Sequence, residues 1–364
     1  MTAFEERTDT TMLLQLVLLG LISVIAVASA THGDEATLWT SAATRQVIYL
    51  VVGVVVFILV QRVDYHDWAE LWPVFYGAGL LLLAVLPLVA RPISGARSWL
   101  ELGPLRLQPS EPMKPVVALA AAAFACGSRG KLSLSRLLAL GVVVGLPMGL
   151  IAIQPDMGTA LTFIPLFLGV AWLAGIRPRV LLSLAVIAAL AAPIAWFVVL
   201  EPYQKERILT VFDPGRDPSG TGYQVIQSRI AVGSGGVAGK GLFRGSQSRL
   251  NFLPARQTDF ILAVLAEEVG WIGVIAVLSL YLALLLRTLR TAAIAQDALG
   301  TFLCVGIASI WAGQIFINVG MVTGILPTIG VPLPILSFGG SSLVATFLAF
   351  GLVASVRLRR LVNA

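Results

Sequence analysis

Charge is what this chain has least of. Only 12% of its 364 residues are Asp, Glu, Lys or Arg, about half the roughly 25% of an average soluble domain. With 57% hydrophobic residues beside that deficit, a water-soluble fold of this length is excluded, because it could not hide so much apolar side chain. Repeated apolar runs of about 20 residues read instead as membrane-spanning helices. Cysteine is nearly absent. Cys126 and Cys304 both lie in apolar runs, which excludes a disulfide framework or a cysteine metal cluster. Histidine is as scarce, and His32 and His66 stand too far apart in sequence to suggest a metal site. No cleavable signal is evident: MTAFEERTDTT is acidic rather than basic, and the apolar run after it is long enough to span. Low-complexity stretches and internal repeats are also missing. Glycine and proline are plentiful, 35 and 19, which membrane helices tolerate.

Hydropathy predicts an all-α polytopic membrane protein of about ten spans, at residues 12–30, 47–61, 72–90, 112–126, 134–153, 159–175, 179–200, 260–286, 298–322 and 339–356. The whole of 1–364 reads as one membrane-embedded domain. Short loops carrying Arg62; Arg129, Lys131 and Arg136; Arg177 and Arg179; and Arg287 and Arg290 fall on one side, together with Arg357, Arg359 and Arg360 of the tail. By the positive-inside rule both termini are cytoplasmic. The opposite side holds two loops, 91–111 and a much longer 201–259. A connection of that length points to function or disorder. It carries Lys205, Arg207, Arg216, Arg229, Lys240, Arg244, Arg249 and Arg256 against Glu201, Glu206, Asp213, Asp217 and Asp259. Long loops translocate regardless of charge. The basic excess is either a solvated surface or a docking surface for an anionic head group or phosphate.

Within that loop, residues 223–232 (YQVIQSRIAV) read as an amphipathic helix suited to lying on the membrane face. GSGGVAGKG (233–241) is similar to a nucleotide P-loop, but Ser234 stands where the first Gly belongs and Gly241 where Ser or Thr should follow the Lys. It is a flexible turn or a phosphate nest. Several charges sit where lipid should be. Glu111 and Lys114 share one face of the first turn of the fourth span; they suit a helix dipole and a snorkelling lysine, or a site. Asp156 in QPDMGT is a helix cap or a functional carboxylate. Asp259 in LPARQTDFI poses the same choice, without the Glu or Gln of a capping box three residues on. Glu267, eight residues later, is about 80° around the helix and roughly 12 Å deeper; it and Glu268 should face the bundle interior. In residues 316–342, Gly324, Pro327, Gly330, Pro332 and Pro334 interrupt a helix. Such a broken or re-entrant segment is tolerated only against protein or a water cavity, where Ser337, Gly339, Gly340 and Ser341 offer polar groups.

GARSWLELGPLRLQPSEPMK (95–114), QPDMGTA (154–160), DPGRDPSGTGYQVIQSRIAVGSGGVAGKG (213–241), FLPARQTDFILAVLAEEVG (252–270) and 316–342 together resemble, in order and spacing, the SEDS family (shape, elongation, division and sporulation). The 228–241 run looks more like its elongation branch than its division branch. The resemblance implies a peptidoglycan glycosyltransferase that polymerises lipid II, an undecaprenyl-pyrophosphate disaccharide, at the outer face of a bacterial inner membrane during elongation. It implies a class B penicillin-binding protein as partner, along with elongation-complex proteins and membrane lipids, and no nucleic acid. The family's essential aspartate corresponds to Asp259. Where the family reads P-E-x-H-T-D-F-I, this chain has Ala255 and Gln257, so a histidine proton partner is unavailable. Pro112 and Pro115 beside Lys114 also depart from the family pattern.

The α-linked donor and β-1,4 product that the family implies require inversion, hence a base and no protein nucleophile. Asp259 is the expected base. The leaving pyrophosphate needs positive charge, expected from Lys114, with Arg45, Arg207, Arg229 and Lys240 behind it and Ser337 as a polar contact. A divalent cation, Mg²⁺ or Mn²⁺, held partly by the pyrophosphate and assisted by Glu111 or Asp156, is a further expectation; no organic cofactor is implied. Two other readings remain: a lipid II flippase, which usually shows internal repeats, and a scaffold that only recruits the transpeptidase. A division-type polymerase is the alternative within the family.

Overall fold

The computed structural model describes residues 8–32, 41–90, 97–103, 105–127, 133–218 and 220–360. Arg129 and Lys131 of the expected basic loops lie outside them. Fifteen helices and one hairpin follow in order: α1 (Thr10–Ala30), α2 (Ala42–Arg62), α3 (Tyr65–Glu70), α4 (Trp72–Val89), β1 (Leu100–Leu102), β2 (Leu105–Leu107), α5 (Ser110–Cys126), α6 (Leu134–Ile153), α7 (Met157–Leu161), α8 (Phe163–Leu173), α9 (Pro178–Ile194), α10 (Pro202–Phe212), α11 (Thr221–Gly235), α12 (Ser246–Arg249), α13 (Ile261–Ala293), α14 (Ala298–Val322) and α15 (Gly340–Arg359). The strands pair antiparallel with Leu100 opposite Leu107.

Short polar side chains start the helices. Asp9, Ser41, Ser133 and Asp297 each accept a hydrogen bond from a backbone N–H of the first turn they precede, the cap chemistry expected just before an apolar run. By length and composition eight helices can cross a membrane: α1, α2, α4, α6, α9 with the π-helical turn after it, α13, α14 and α15. The expected fourth and sixth spans are shorter. The fourth is α5, of 17 residues, and the sixth is divided at Thr162 into α7 and α8. The chain is a multi-pass membrane protein, with eight helices long and apolar enough to span, and the shorter α5 and α7–α8, among the described residues. Packing is centred on α5, α14 and α15, which bury most of their surface, whereas α9 has no buried residue.

Three of the arginines expected on one side, Arg287, Arg357 and Arg359, are engaged by carboxylates. Arg287 and Arg357 pair with buried Asp9, and Arg359 pairs with Asp64 at 2.9 Å. His66 bridges Asp64 and Asp297 at 2.9 and 2.7 Å.

Residues 201–259 are not one irregular loop. They form α10, α11 and α12. The capping box of Glu201 and Gln204 starts α10. Helix α11 covers the helix expected at 223–232, with Ile226 and Ile230 exposed. It packs on α13 through Val225, Ser228 and Ala231, and the Ser228 hydroxyl donates to Val322 O at 2.7 Å.

The glycine-rich run after α11 is neither a loose turn nor an open nest. Helix α13 breaks at Gly270 (φ 67°, ψ −169°), which strands carbonyls on one side of the break and N–H groups on the other. Lys240 and Gly241 donate their N–H to Glu267 O and Glu268 O at 3.0 and 2.9 Å, and Trp271 and Ile272 donate to Gly236 O and Val237 O at 3.0 and 3.2 Å. The run splints the broken helix. A Cβ on Gly270 would lie 2.4 Å from Gly239 N and Val237 O, and one on Gly239 would lie 2.1 Å from Glu268 O. The Gly270 dihedrals fall in a region that only glycine enters freely, costing others about 1–3 kcal/mol before any clash. Gly270→Ala is therefore expected to lower the thermal unfolding midpoint and to speed amide exchange at Trp271 and Ile272. Unchanged exchange at those two amides counts against the splint.

Candidate active site

The interruption before the last span is the hub of the site. Residues 323–339 lack helix; Gly324 and Gly330 have φ of 74°, and Ile335, a β-branched residue, has φ 66°. Irregular backbone at this depth must find partners in the protein, and side chains from several helices supply them. Gln46 donates to Ile335 O and Ser337 O at 3.3 and 3.2 Å, and Ser23 donates to Leu336 O at 2.7 Å. The Tyr281 hydroxyl donates to Pro334 O. Gln314 donates to Pro332 O at 2.8 Å and Asn318 to Val331 O at 2.7 Å. On the far side α7 lies against this segment at Gly158, where a Cβ would meet Ile329 O at 2.3 Å.

Asp259 sits on the edge of the hub. It is not the cap of α13: Phe260 takes that position, and no side chain caps the helix. Its main chain is fixed instead. Asn318 donates to Asp259 O at 2.9 Å, the Ser337 hydroxyl to Thr258 O at 2.6 Å, and Phe338 N–H to Gln257 O at 2.8 Å. Gly330 lies beside the carboxylate: a Cβ built there would sit 3.7 Å from Asp259 Oδ2. Loss of solvent pushes the Asp259 pKa up to about 6, and the negative charge of Asp156 adds to that. A hydrogen bond from Thr258 and the positive charge of Arg207 pull it back.

Other expected residues converge here. Asp156 does cap α7, accepting from Thr159 N at 3.2 Å, and its second oxygen accepts from Gln108 Nε2 at 2.7 Å. Burial raises its pKa, and Glu111 adds to the rise. Glu111 and Lys114 form an ion pair of 2.8 Å, 2% and 1% exposed, and Lys114 Nζ also donates to Gln314 Oε1 at 3.0 Å. The lysine does not snorkel to the surface. Arg207 lies partly exposed on α10 with its guanidinium 5.7 Å from the Tyr203 ring, and Arg45 stands 5.4 Å from the ring of Phe338. Asp259, Asp156, Glu111, Lys114 and Arg207 thus form one electrostatic neighbourhood, with Ser337 and Arg45 on its backbone frame.

Two expected phosphate ligands are engaged elsewhere. Lys240 pairs with Glu267 at 2.6 Å, so the ammonium neutralises a carboxylate that would otherwise be buried alone. Arg229 donates to Thr323 O and Gly324 O at 3.3 and 2.8 Å, closing the end of α14. Glu267 and Glu268 are fully buried, as their cost in an apolar run requires. Glu267 also accepts from Ser246 and Gln247, and Glu268 from Ser29.

Sequence reading missed Gln46, Gln108, Gln314 and Asn318. The signal was present: each is an amide in or beside an apolar run, where polar side chains turn inward to partners. A resident divalent cation does not fit the donors. Glu111 is neutralised by Lys114, both Asp156 oxygens accept hydrogen bonds, and among the described residues no group of three or more His, Cys, Asp or Glu could hold a metal.

Residues 7–361 match a family model described as cell cycle protein, FtsW/RodA/SpoVE. The peptidoglycan glycosyltransferase MrdB of Escherichia coli K12 is 39% identical over 359 residues, 98% of this chain and 95% of that one. A probable peptidoglycan glycosyltransferase FtsW of Geobacter metallireducens is 37% identical over 362 residues, 97% and 96% of the two chains. Among solved structures, a chain of a peptidoglycan synthase complex that coordinates polymerization and crosslinking superposes with a TM-score of 0.82 at 33% identity, covering 97% of this chain and 98% of that one. The rod shape determining protein RodA of Thermus thermophilus superposes with 0.72 at 28% identity, with the same coverage. This chain belongs to the FtsW/RodA/SpoVE family.

Proposed function

We propose that the protein is a peptidoglycan glycosyltransferase of the elongation type, polymerising lipid II into β-1,4-linked glycan with Asp259 as general base. The observation that carries this reading is the setting of Asp259: a buried carboxylate with its pKa raised to about 6, held by main-chain bonds from Asn318 and from Phe338 of the irregular segment on the residues around it. Such a group is mostly ionised at neutral pH yet is a stronger base than an ordinary aspartate. The acceptor 4-hydroxyl gives its proton to Asp259, its oxygen bonds to the donor C1, and the C1–O bond to the pyrophosphate breaks with inversion. Arg207 and Arg45, which flank residues 257–259, are the cations for the departing pyrophosphate. The buried Lys114 acts one layer further in. Both termini are cytoplasmic, the site faces outward, and the partner is a class B penicillin-binding transpeptidase. The complex named for coordinating polymerization and crosslinking supports that pairing.

Purified protein with labelled lipid II in detergent is expected to yield polymer. Detergent removes sidedness, so polymer excludes a protein that only flips or recruits. No polymer, with or without the transpeptidase, sinks the reading. The rate is expected to rise with pH through about 6 and to fall about tenfold per unit below it, because only the ionised base accepts a proton. A rate independent of pH between 5 and 7 removes Asp259 from that role.

A further inference from the structure

Gln314 and Asn318 lie four residues apart on α14, 1% and 0% exposed. Residues so spaced share one helix face with a fixed separation. Gln314 Nε2 donates to Pro332 O, while its Oε1 accepts from Lys114 Nζ. Asn318 Nδ2 donates both to Val331 O and to Asp259 O. The two amides grip consecutive carbonyls of the interrupted segment; Gln314 also reaches the Lys114 ammonium, and Asn318 the main chain of Asp259. Their orientations are unambiguous. Carbonyl acceptors demand the NH₂ end, and a lysine demands the oxygen. Asn318 Oδ1 is left buried with no hydrogen-bond partner among the described residues.

We propose that Gln314 and Asn318 are positioning residues that set the placement of Asp259 relative to the Glu111–Lys114 pair, using α14 as a ruler and residues 331–332 as the common anchor. Neither amide donates to substrate; each acts through another group. The proposal rests on the reading of Asp259 as the base. It differs from a packing role because the quantity at stake is geometry: catalytic groups displaced by about 1 Å can lose about 10²-fold in rate with substrate binding intact.

Asn318→Leu keeps the branching and removes both donors. In the detergent polymerisation assay with lipid II, kcat is expected to fall at least tenfold and KM to stay within about threefold. The midpoint of the pH–rate profile should move as the Asp259 surroundings change. Asn318→Ser, which keeps one donor, should fall between Leu and wild type, so the series stays readable if the Leu variant folds poorly. Gln314→Met should lower kcat in the same way. Trp311→Phe is the control: it deletes another buried hydrogen bond of α14, Nε1 to Thr346 Oγ1, on the side facing α15, and should leave kcat and the pH midpoint unchanged. The proposal is overturned if Asn318→Leu keeps the wild-type kcat, if its loss lies in KM, or if it merely follows the folded fraction as Trp311→Phe does. If Asp259→Asn is itself active, the reading of the base fails first. If Asp259→Asn is dead and Asn318→Leu is unaffected, only the ruler fails.

Discussion

Asp259→Asn should reduce glycan polymerisation by about 10²–10⁴-fold, the range that a positioned general base supplies, while the protein stays folded. The substitution keeps shape and replaces the ionisable carboxylate by a neutral amide that cannot take the proton. The main-chain bonds from Asn318 and Ser337 do not involve the side chain and should survive. Stability at neutral pH should not fall. The folded pKa of about 6 exceeds the ordinary 3.8, so the folded state binds this proton more tightly. The stability that the proton contributes is present below 3.8 and is lost as pH rises to 6. Above 6 the ionised side chain is a net cost that asparagine escapes. The decisive measurement pairs polymer yield with a thermal unfolding curve at pH 7. An Asn variant that unfolds early and is inactive would show only that the residue holds the fold.

Lys114→Met should be the most destabilising of the site substitutions. It leaves Glu111, 2% exposed, without its counter-charge, and breaking a buried pair from one side costs about 3–5 kcal/mol. It also strands Gln314 Oε1. Removing both charges together, as Lys114→Met with Glu111→Gln, should recover most of that stability, because a neutral pair avoids desolvation altogether. Turnover should not recover with it. The positive charge that acts on Asp156 and counterbalances Glu111 there is absent in both variants. Unfolding midpoints and polymer yield for wild type, the single variants and the double variant make a complete cycle. A double variant restored in both stability and activity would reduce the ion pair to a structural element.

The elements that could be read from the sequence are those governed by short-range pattern. Apolar run length located every helix from α1 to α15 that crosses or enters the apolar layer, and the Gly and Pro spacing in 316–342 located the interruption. Tertiary context overruled local pattern elsewhere. The 201–259 stretch looked like a loop with one helix at 223–232 because its charge and turn residues are what a solvated connection needs; α11 and α12 form against α13, and α10 packs on α11. Residues 233–241 resembled a nest, yet their N–H groups are spent on a break in α13 that a single glycine, Gly270, gives little sign of. Asp259 stood out locally only as an uncapped carboxylate. Its raised pKa comes first from burial by the tertiary packing, with a smaller contribution from Asp156 a hundred residues away, and no periodicity predicts either. Lys240 and Arg229 were drawn toward phosphate by charge alone, when buried Glu267 and the end of α14 had the stronger claim. The amides of α14 carry no charge and so were passed over.

The splint at Gly270 also constrains the order in which this chain can be assembled. Bare carbonyls beside Trp271 and Ile272, 51% and 62% exposed, would cost several kcal/mol if they met hydrocarbon, so α13 is incomplete as a membrane element on its own. Its missing partners, residues 236–241, lie only about 30 positions earlier in the chain and are synthesised first. The helix therefore meets its splint as soon as it is made, through a contact that closes a short loop at low entropic cost. A split of the chain between residues 242 and 259 would turn this prompt local closure into a slow bimolecular one, and a circular permutation opened there would make it a long-range closure within one chain.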